Sequence, residues 1–238
     1  MARACHFESL FKGNQQYTND MATRHPNLLQ QLAREGQFPP FAMFLCSDSR
    51  LSEQAIFSTK PGTIFTSRNI ANVFIEDDLT STSVLGYAVD KLKVKHVIVM
   101  GHYGCGGVAA SMVPPPPQPL DPSDTAISTW ISPIRELFAT STRPEIVAYR
   151  QQLAPNLHNA AFRALVEENV KMSVQRITAS EIMKKNHTGA VPGVFAHGWV
   201  TNIENGVVSD LGVSVGPPNG ERVMWGNHEA EGQARRGG

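Results

Sequence analysis

The chain has 238 residues, with 21 lysines and arginines against 21 aspartates and glutamates. That length supports a core without covalent staples, and the formal charge of zero removes the basic footprint of a nucleic-acid binder. Three cysteines, Cys5, Cys46 and Cys105, are too few for a secreted disulfide framework, and no apolar run reaches the ~18 residues of a membrane span.

Residues 1–36 read as a helical arm. Phe7, Leu10 and Phe11 share a face, and a second helix follows His25, with Pro26 in its first turn and Gly36 at its end. Phe41 to Leu45 is a short apolar run flowing into Cys46-Ser47-Asp48-Ser49-Arg50, the pattern of a buried parallel strand. Ser52 is placed to cap a short helix, Pro61-Gly62 to turn, and Thr63 to Thr66 to form a strand. After Asp77-Asp78, the residues Leu79, Val84, Leu85, Ala88 and Leu92 build one helical stripe. A strand over 95–100 runs into Gly101-His102-Tyr103-Gly104-Cys105-Gly106-Gly107, whose second half opens another helix.

Six prolines between Pro114 and Pro122 make a stiff surface insert over 114–122. Helices are expected over Thr125–Phe138 and Pro155–Lys184, the second carrying Phe162, Leu165, Val166, Val170, Val174 and Ile177 on one face. Two β-rich stretches, 192–200 and 207–215, flank Asn205-Gly206, a strong hairpin signal. The alternation predicts an α/β fold: a central, mainly parallel β-sheet flanked by helices, with an N-terminal helical arm and a C-terminal β-hairpin extension. One domain spans residues 1–216, and 217–238 form a flexible tail. The N-terminus has no secretory apolar stretch, so a cytoplasmic protein is expected. A mitochondrial form whose presequence had been removed would read the same way.

Two motifs lie where apolar strands end, and ligands of open parallel sheets gather at carboxyl ends of strands. If the two strands are neighbours, Cys46, His102 and Cys105 bring together two thiolates and an imidazole, a donor set suited to zinc. Gly104 allows a sharp turn between His102 and Cys105. Three ligands leave a fourth position open, the catalytic pattern, with Asp48 the one further donor nearby. Cysteine is also commonly buried as a small hydrophobe, so these residue types alone leave metal binding and plain packing both open.

The pair CSDSR and GHYGCGG resembles the signature of β-class carbonic anhydrases. PGTIFTSRNIAN, SVLGYAVDKLKVKHVIVMGH, WISPI, ENV and GVFAHGWVTNIENGVVSDLGVSVG are similar to further family segments, so the resemblance covers roughly residues 5–215. It implies a lyase, carbonate dehydratase, that hydrates carbon dioxide reversibly to bicarbonate and a proton by a zinc-bound hydroxide. By resemblance Cys46, His102 and Cys105 hold one zinc ion per chain. Asp48 and Arg50 form the catalytic dyad, Asp48 being a fourth ligand in a closed state. Gln37 resembles a donor to carbon dioxide or bicarbonate, and Phe65 and Tyr87 resemble residues lining an apolar pocket, contributed across a subunit interface. Gly106, opening a helix, offers N–H groups to bicarbonate oxygens. Met43-Phe44-Leu45 stand where some bacterial relatives have Trp-x-Gly, so the chain resembles the plant-like type, found in fungi among others. The family also implies a homodimer or homotetramer, with carbon dioxide and bicarbonate as partners and neither nucleic acid nor membrane.

Three other readings compete with this one. Gly104, Gly106 and Ala109 form a G-x-G-x-x-A after a strand, a weak dinucleotide fingerprint broken by the prolines that follow. A non-catalytic zinc-bound interaction module would keep Asp48 permanently on the metal. A carbon disulfide hydrolase would use the same ligands.

Overall fold

The computed structural model describes residues 2–150, 159–188 and 193–217. The predicted tail, apart from Pro217, lies outside these, as do His158 and His228. The arm forms α1 (Ala2–Arg24) and α2 (Leu28–Glu35), followed by β1 (Phe41–Cys46), the short α3 (Glu53–Ile56) and β2 (Ile64–Asn69). Then come α4 (Leu79–Gly86), which continues through a π turn over Tyr87–Lys91, β3 (His96–His102) and α5 (Gly106–Ser111). Beyond the proline insert lie α6 (Pro122–Trp130), α7 (Ser132–Thr140), α8 (Pro144–Tyr149), α9 (Ala160–Ala179), α10 (Glu181–His187), β4 (Phe195–Thr201) and β5 (Val208–Asp210).

The five strands form one sheet in the order β2-β1-β3-β4-β5. The first four are parallel, and β5 returns antiparallel on β4. The chain leaves β1 for β2 on one side and comes back to β3 on the other. Between β1 and β3 the connections diverge, and a crevice opens at the carboxyl ends of those two strands.

Alternation along the strands sorts the side chains. Ala42, Phe44 and Cys46 of β1, with Val97 and Val99 of β3, face the larger core. Met43, Leu45, Ile98 and Met100 face a smaller cluster on the other side. On the larger side α9 lies flat on the sheet, burying Phe162, Leu165, Val166, Val170, Val174 and Ile177 as the 3.6-residue period predicts. Two glycines permit that close approach. A Cβ on Gly101 would come 2.6 Å from Val170, and one on Gly198 2.6 Å from Val213 and 3.1 Å from Val170.

Several expectations change in detail. The helix expected over 125–138 is broken at Ile131, because Pro133 has no N–H to donate and starts a new helix instead. The long helix expected from Pro155 begins at Ala160, where the Asn159 side chain accepts from the Ala161 N–H, and stops at Ser180, which caps α10. Its first expected residues lie outside the described ones. Pro26 precedes α2 rather than opening it, because left-handed Asn27 (φ 72°) intervenes. Leu79 does not join the predicted stripe: it starts α4 beside its cap, Asp78, and is 82% exposed. The hairpin connection is six residues long, 202–207, with Gly206 at φ 75° inside it.

On the smaller face His96 and His197 meet edge to edge. His96 Nδ1 lies 3.0 Å from His197 Nε2, and His197 Nδ1 lies 2.8 Å from Ser214 Oγ. Burial pushes His197 down to about 4, and the neighbouring His96 adds to that. The unfolded imidazole binds a proton near 6.5, so stability present above that pH is lost as the solution is acidified towards 4. The thermal midpoint of the parent should therefore fall more steeply between pH 6.5 and 4 than that of His197→Asn. Parallel curves for the two proteins would refute this.

Candidate metal centre

Cys46 ends β1 and His102 ends β3, on the two strands flanking the crevice. Tyr103-Gly104 then turns the chain, with Gly104 at φ 79°, so that Cys105 becomes the residue capping α5. The three donor atoms, two sulfurs and a ring nitrogen, lie within 4.8 Å of one another, and all three residues are buried. The sulfurs are 3.9 Å apart and unbonded. Two sulfurs at 2.3 Å from a tetrahedral ion would stand about 3.8 Å apart.

The imidazole fits the same purpose. His102 Nδ1 lies 3.1 Å from the carbonyl oxygen of Tyr103, which can only accept, so Nδ1 carries the proton and Nε2 presents its lone pair. Nε2 is buried and has no hydrogen-bond partner among the described residues. A buried orphan lone pair aimed at two sulfurs is what a metal ligand looks like without its ion.

Cys46 is the more acidic of the two, lowered to about 4 by the neighbouring Cys105 thiol and, against the opposing effect of burial, by the backbone at Asp48 and Ala71. Cys105 is pushed up by its contact with Cys46 and by burial. A dication between the two sulfurs would favour the deprotonated form of both.

Asp48 stands at the rim, its Oδ2 3.7 Å from His102 Nε2. Arg50 grips it as a two-pronged fork, Nε to Oδ1 at 2.9 Å and Nη2 to Oδ2 at 2.6 Å, while Nη2 also donates to the Gly104 carbonyl at 3.0 Å. This grip holds the carboxyl well below the usual carboxylate range. A cleft of about 230 Å³ opens beside Arg50, between Tyr103, Arg163 and Asn202.

Sequence reasoning missed the supports of this site. Arg68 donates to the carbonyls of Cys46 (3.1 Å), Asp48 (2.9 Å) and Leu51 (3.1 Å), tying the CSDSR loop to β2. The Tyr103 hydroxyl donates to Glu167 at 2.8 Å, and the Arg163 guanidinium lies 3.6 Å over its ring. No spacing rule marks either residue, because both act through loop carbonyls or across to α9.

Of the other predicted site residues, Phe65, Tyr87 and Gln37 are not gathered here, whereas Gly106 adjoins Cys105. Phe65 pairs with Ala42 at the far end of β1, about 13 Å of strand from Cys46. It stacks on Tyr87 with ring centroids 5.8 Å apart, and Tyr87 is 51% exposed. Gln37 is exposed between α2 and β1. Gly106 opens α5, with empty space where a Cβ would stand.

The family model described as carbonic anhydrase matches residues 41–208, from the start of β1 to the start of β5. A carbonic anhydrase of Emericella nidulans is 34% identical over 208 residues, covering 87% of this chain and 83% of that protein. Among solved structures, a Coccomyxa β-carbonic anhydrase in complex with acetazolamide is similar with a TM-score of 0.76 at 29% identity, covering 87% of each chain. A structure from work on two tetrameric β-carbonic anhydrases of Sordaria macrospora has a TM-score of 0.72 at 25% identity, covering 88% of this chain and 98% of that one. This chain belongs to the β-class carbonic anhydrases.

Within this β-class carbonic anhydrase the glycine of the G-x-G-x-x-A pattern serves the donor cluster rather than a dinucleotide. Gly104 supplies the left-handed turn that brings Cys105 back to His102. Gly104→Ala would force alanine to φ 79° and set its Cβ 3.1 Å from Ile203. It should weaken divalent-metal binding roughly tenfold, measured by competition against a chelator, while the fold survives. Unchanged affinity would show that the turn has no such role.

Proposed function

We propose that the chain catalyses the reversible hydration of carbon dioxide to bicarbonate and a proton, using one zinc ion held by Cys46, His102 and Cys105. The observation that carries this reading is the buried convergence of two sulfurs and an orphan imidazole nitrogen within 4.8 Å. Three soft or borderline donors suit zinc and leave one tetrahedral position for solvent. Zinc bound there would lower the pKa of water enough to provide a nucleophile near neutral pH.

The protein's own part is positional. Asp48, held through both oxygens by Arg50, stands beside the vacant corner as an acceptor that can orient the reacting water. The same grip opposes movement of the carboxylate onto the metal. This supports an open, catalytic site over a non-catalytic zinc module. Two thiolates acidify water less than neutral ligands do, which favours a working range somewhat above neutrality.

Metal analysis and a carbon dioxide hydration assay test this directly. The parent should carry one zinc per chain and Cys105→Ser should lose both zinc and activity. Arg50→Ala should keep the zinc and lose about 10- to 100-fold in activity. Active parent protein without zinc would sink the proposal, and full activity in Arg50→Ala would remove the dyad.

A homo-oligomer, dimer or tetramer, is also proposed. In support, Phe7, Leu10 and Phe11 of α1 are each at least 66% exposed, and the Sordaria relatives are described as tetrameric. In this reading Gln37, Phe65 and Tyr87, which lie away from the chain's own sulfurs, serve the pocket of a neighbouring subunit. Light scattering should give a mass of two or four chains, falling when residues 2–24 are deleted. A monomeric parent would refute the assembly.

A further inference from the structure

The core face of α9 contains two polar residues among its aliphatic ones, and both are completely buried: Asn169 and Ser173. Asn169 Nδ2 donates to the carbonyl of Ala71 at 2.8 Å. Ser173 Oγ donates to the carbonyl of Asn72 at 3.3 Å and accepts from the Phe74 N–H at 3.2 Å. These bonds grip the segment between β2 and α4, which also receives the Trp130 indole N–H on its Ile70 carbonyl at 2.8 Å.

That segment is strained. Ala71 (φ 60°, ψ 26°) and Asn72 (φ 48°) both lie in the left-handed region, which side chains other than glycine enter at a cost. Its purpose can be read from its neighbours. Asn69, two residues before Ala71, is the strand partner of Cys46, and its carbonyl accepts the Ser47 N–H at 2.8 Å. On the other side, Ala71 packs so tightly against the start of α5 that a Cβ on Gly107 would come 3.0 Å from the alanine methyl. Gly107 lies in the first turn of the helix that Cys105 caps. One strained turn therefore sits between the segments that carry the two sulfurs.

Asn169 also carries a liability. Its Oδ1 is buried without a hydrogen-bond partner among the described residues, as is Nδ2 of Asn72. An apolar residue of similar size would avoid that desolvation loss. What the amide supplies against that loss is a donor for the buried Ala71 carbonyl, which an apolar residue would leave unpaired.

We propose that Asn169, seconded by Ser173, is a positioning residue for the metal centre: it holds Ala71 in its left-handed conformation, and with it the turn packed between the strand partner of Cys46 and the first turn of the helix that Cys105 caps. This rests on the reading that Cys46, His102 and Cys105 bind zinc. Asn169 lies 98 residues from Ala71 in sequence and touches no ligand itself. It acts through the backbone of the turn.

The test is a zinc titration of the whole chain against a chromogenic chelator, with thermal unfolding of the metal-free protein measured on the same samples. Asn169→Ala should weaken zinc binding at least tenfold. Adding Ala71→Gly to it should recover most of that loss, because glycine takes φ 60° unaided. A merely structural asparagine predicts otherwise: a lower melting temperature with zinc affinity unchanged. That result, or a double variant binding no better than the single one, overturns the proposal. Should Asn169→Ala not fold, Ser173→Ala, which deletes the longer anchor, should show a smaller loss of affinity, again recovered by Ala71→Gly; unchanged affinity there overturns the proposal too. A parent chain that takes up no zinc overturns the metal reading and this inference with it. A parent that binds, with variants binding equally well, overturns the inference alone.

Discussion

Two cysteine sulfurs held 3.9 Å apart in a buried crevice are the constraint around which the rest of this molecule is arranged. Bare thiolates at that distance repel, and in a low-dielectric pocket the repulsion is large. The backbone at Asp48 and Ala71 favours the charged form of one sulfur, and that at Val108 and Gly107 the charged form of the other. That arrangement holds only if the strand ends and turns that carry it are rigid. Rigidity comes from the parallel sheet. Placing β1 next to β3 brings Cys46 and His102 together, and pressing α9 onto Gly101 and Gly198 fixes the sheet from behind.

The rim obeys different physics. Asp48 is largely shielded, whereas the Arg50 side chain is half exposed. An ordinary ion pair with one solvated partner contributes little. This one is bidentate and is anchored again to the Gly104 carbonyl, so its value lies in geometry rather than in stability. Arg50 links the CSDSR loop to the turn that carries Cys105, and Arg68 links the same loop to β2. Both ligand-bearing loops are thus cross-tied by guanidinium groups donating to carbonyls, a task the planar fork of arginine suits better than the point charge of lysine.

Much of this was legible in the sequence, for identifiable reasons. α9 follows from periodicity, because one face is dry, whereas the central strands follow from short apolar runs buried on both sides and the hairpin from Asn205-Gly206. The ligand trio follows from residue chemistry at strand ends, together with the resemblance of CSDSR and GHYGCGG to a known pair. What periodicity hides is any element whose position is set by a backbone exception. Pro133 splits one helix into two, Asn27 delays another, and Leu79 stands exposed at the first residue of α4 beside its cap. The supports of the site were hidden for a related reason. Arg68, Tyr103 and Ala71 act on or through main-chain atoms, and main-chain hydrogen bonding leaves little trace in residue identity. Asn169 did leave one: it is an amide in a run of positions that the helical period assigns to the core.

That trace belongs to a wider pattern. Of the six buried side-chain atoms without partners among the described residues, one is His102 Nε2 and three belong to the turn after β2 or to its anchor on α9: Asn69 Oδ1, Asn72 Nδ2 and Asn169 Oδ1. The left-handed pair Ala71 and Asn72 lies in the same turn. Glycine at 71 and an apolar residue at 169 would remove two of these costs, but the second change would leave the Ala71 carbonyl unpaired. Departures from local rules gather in the turn between β2 and α4 and in the residue of α9 that binds it. Such concentration is expected where a fold holds groups ready for something outside itself. For His102 the proposed partner is a metal ion. For Asn169 the proposed return is the conformation of Ala71 that it holds.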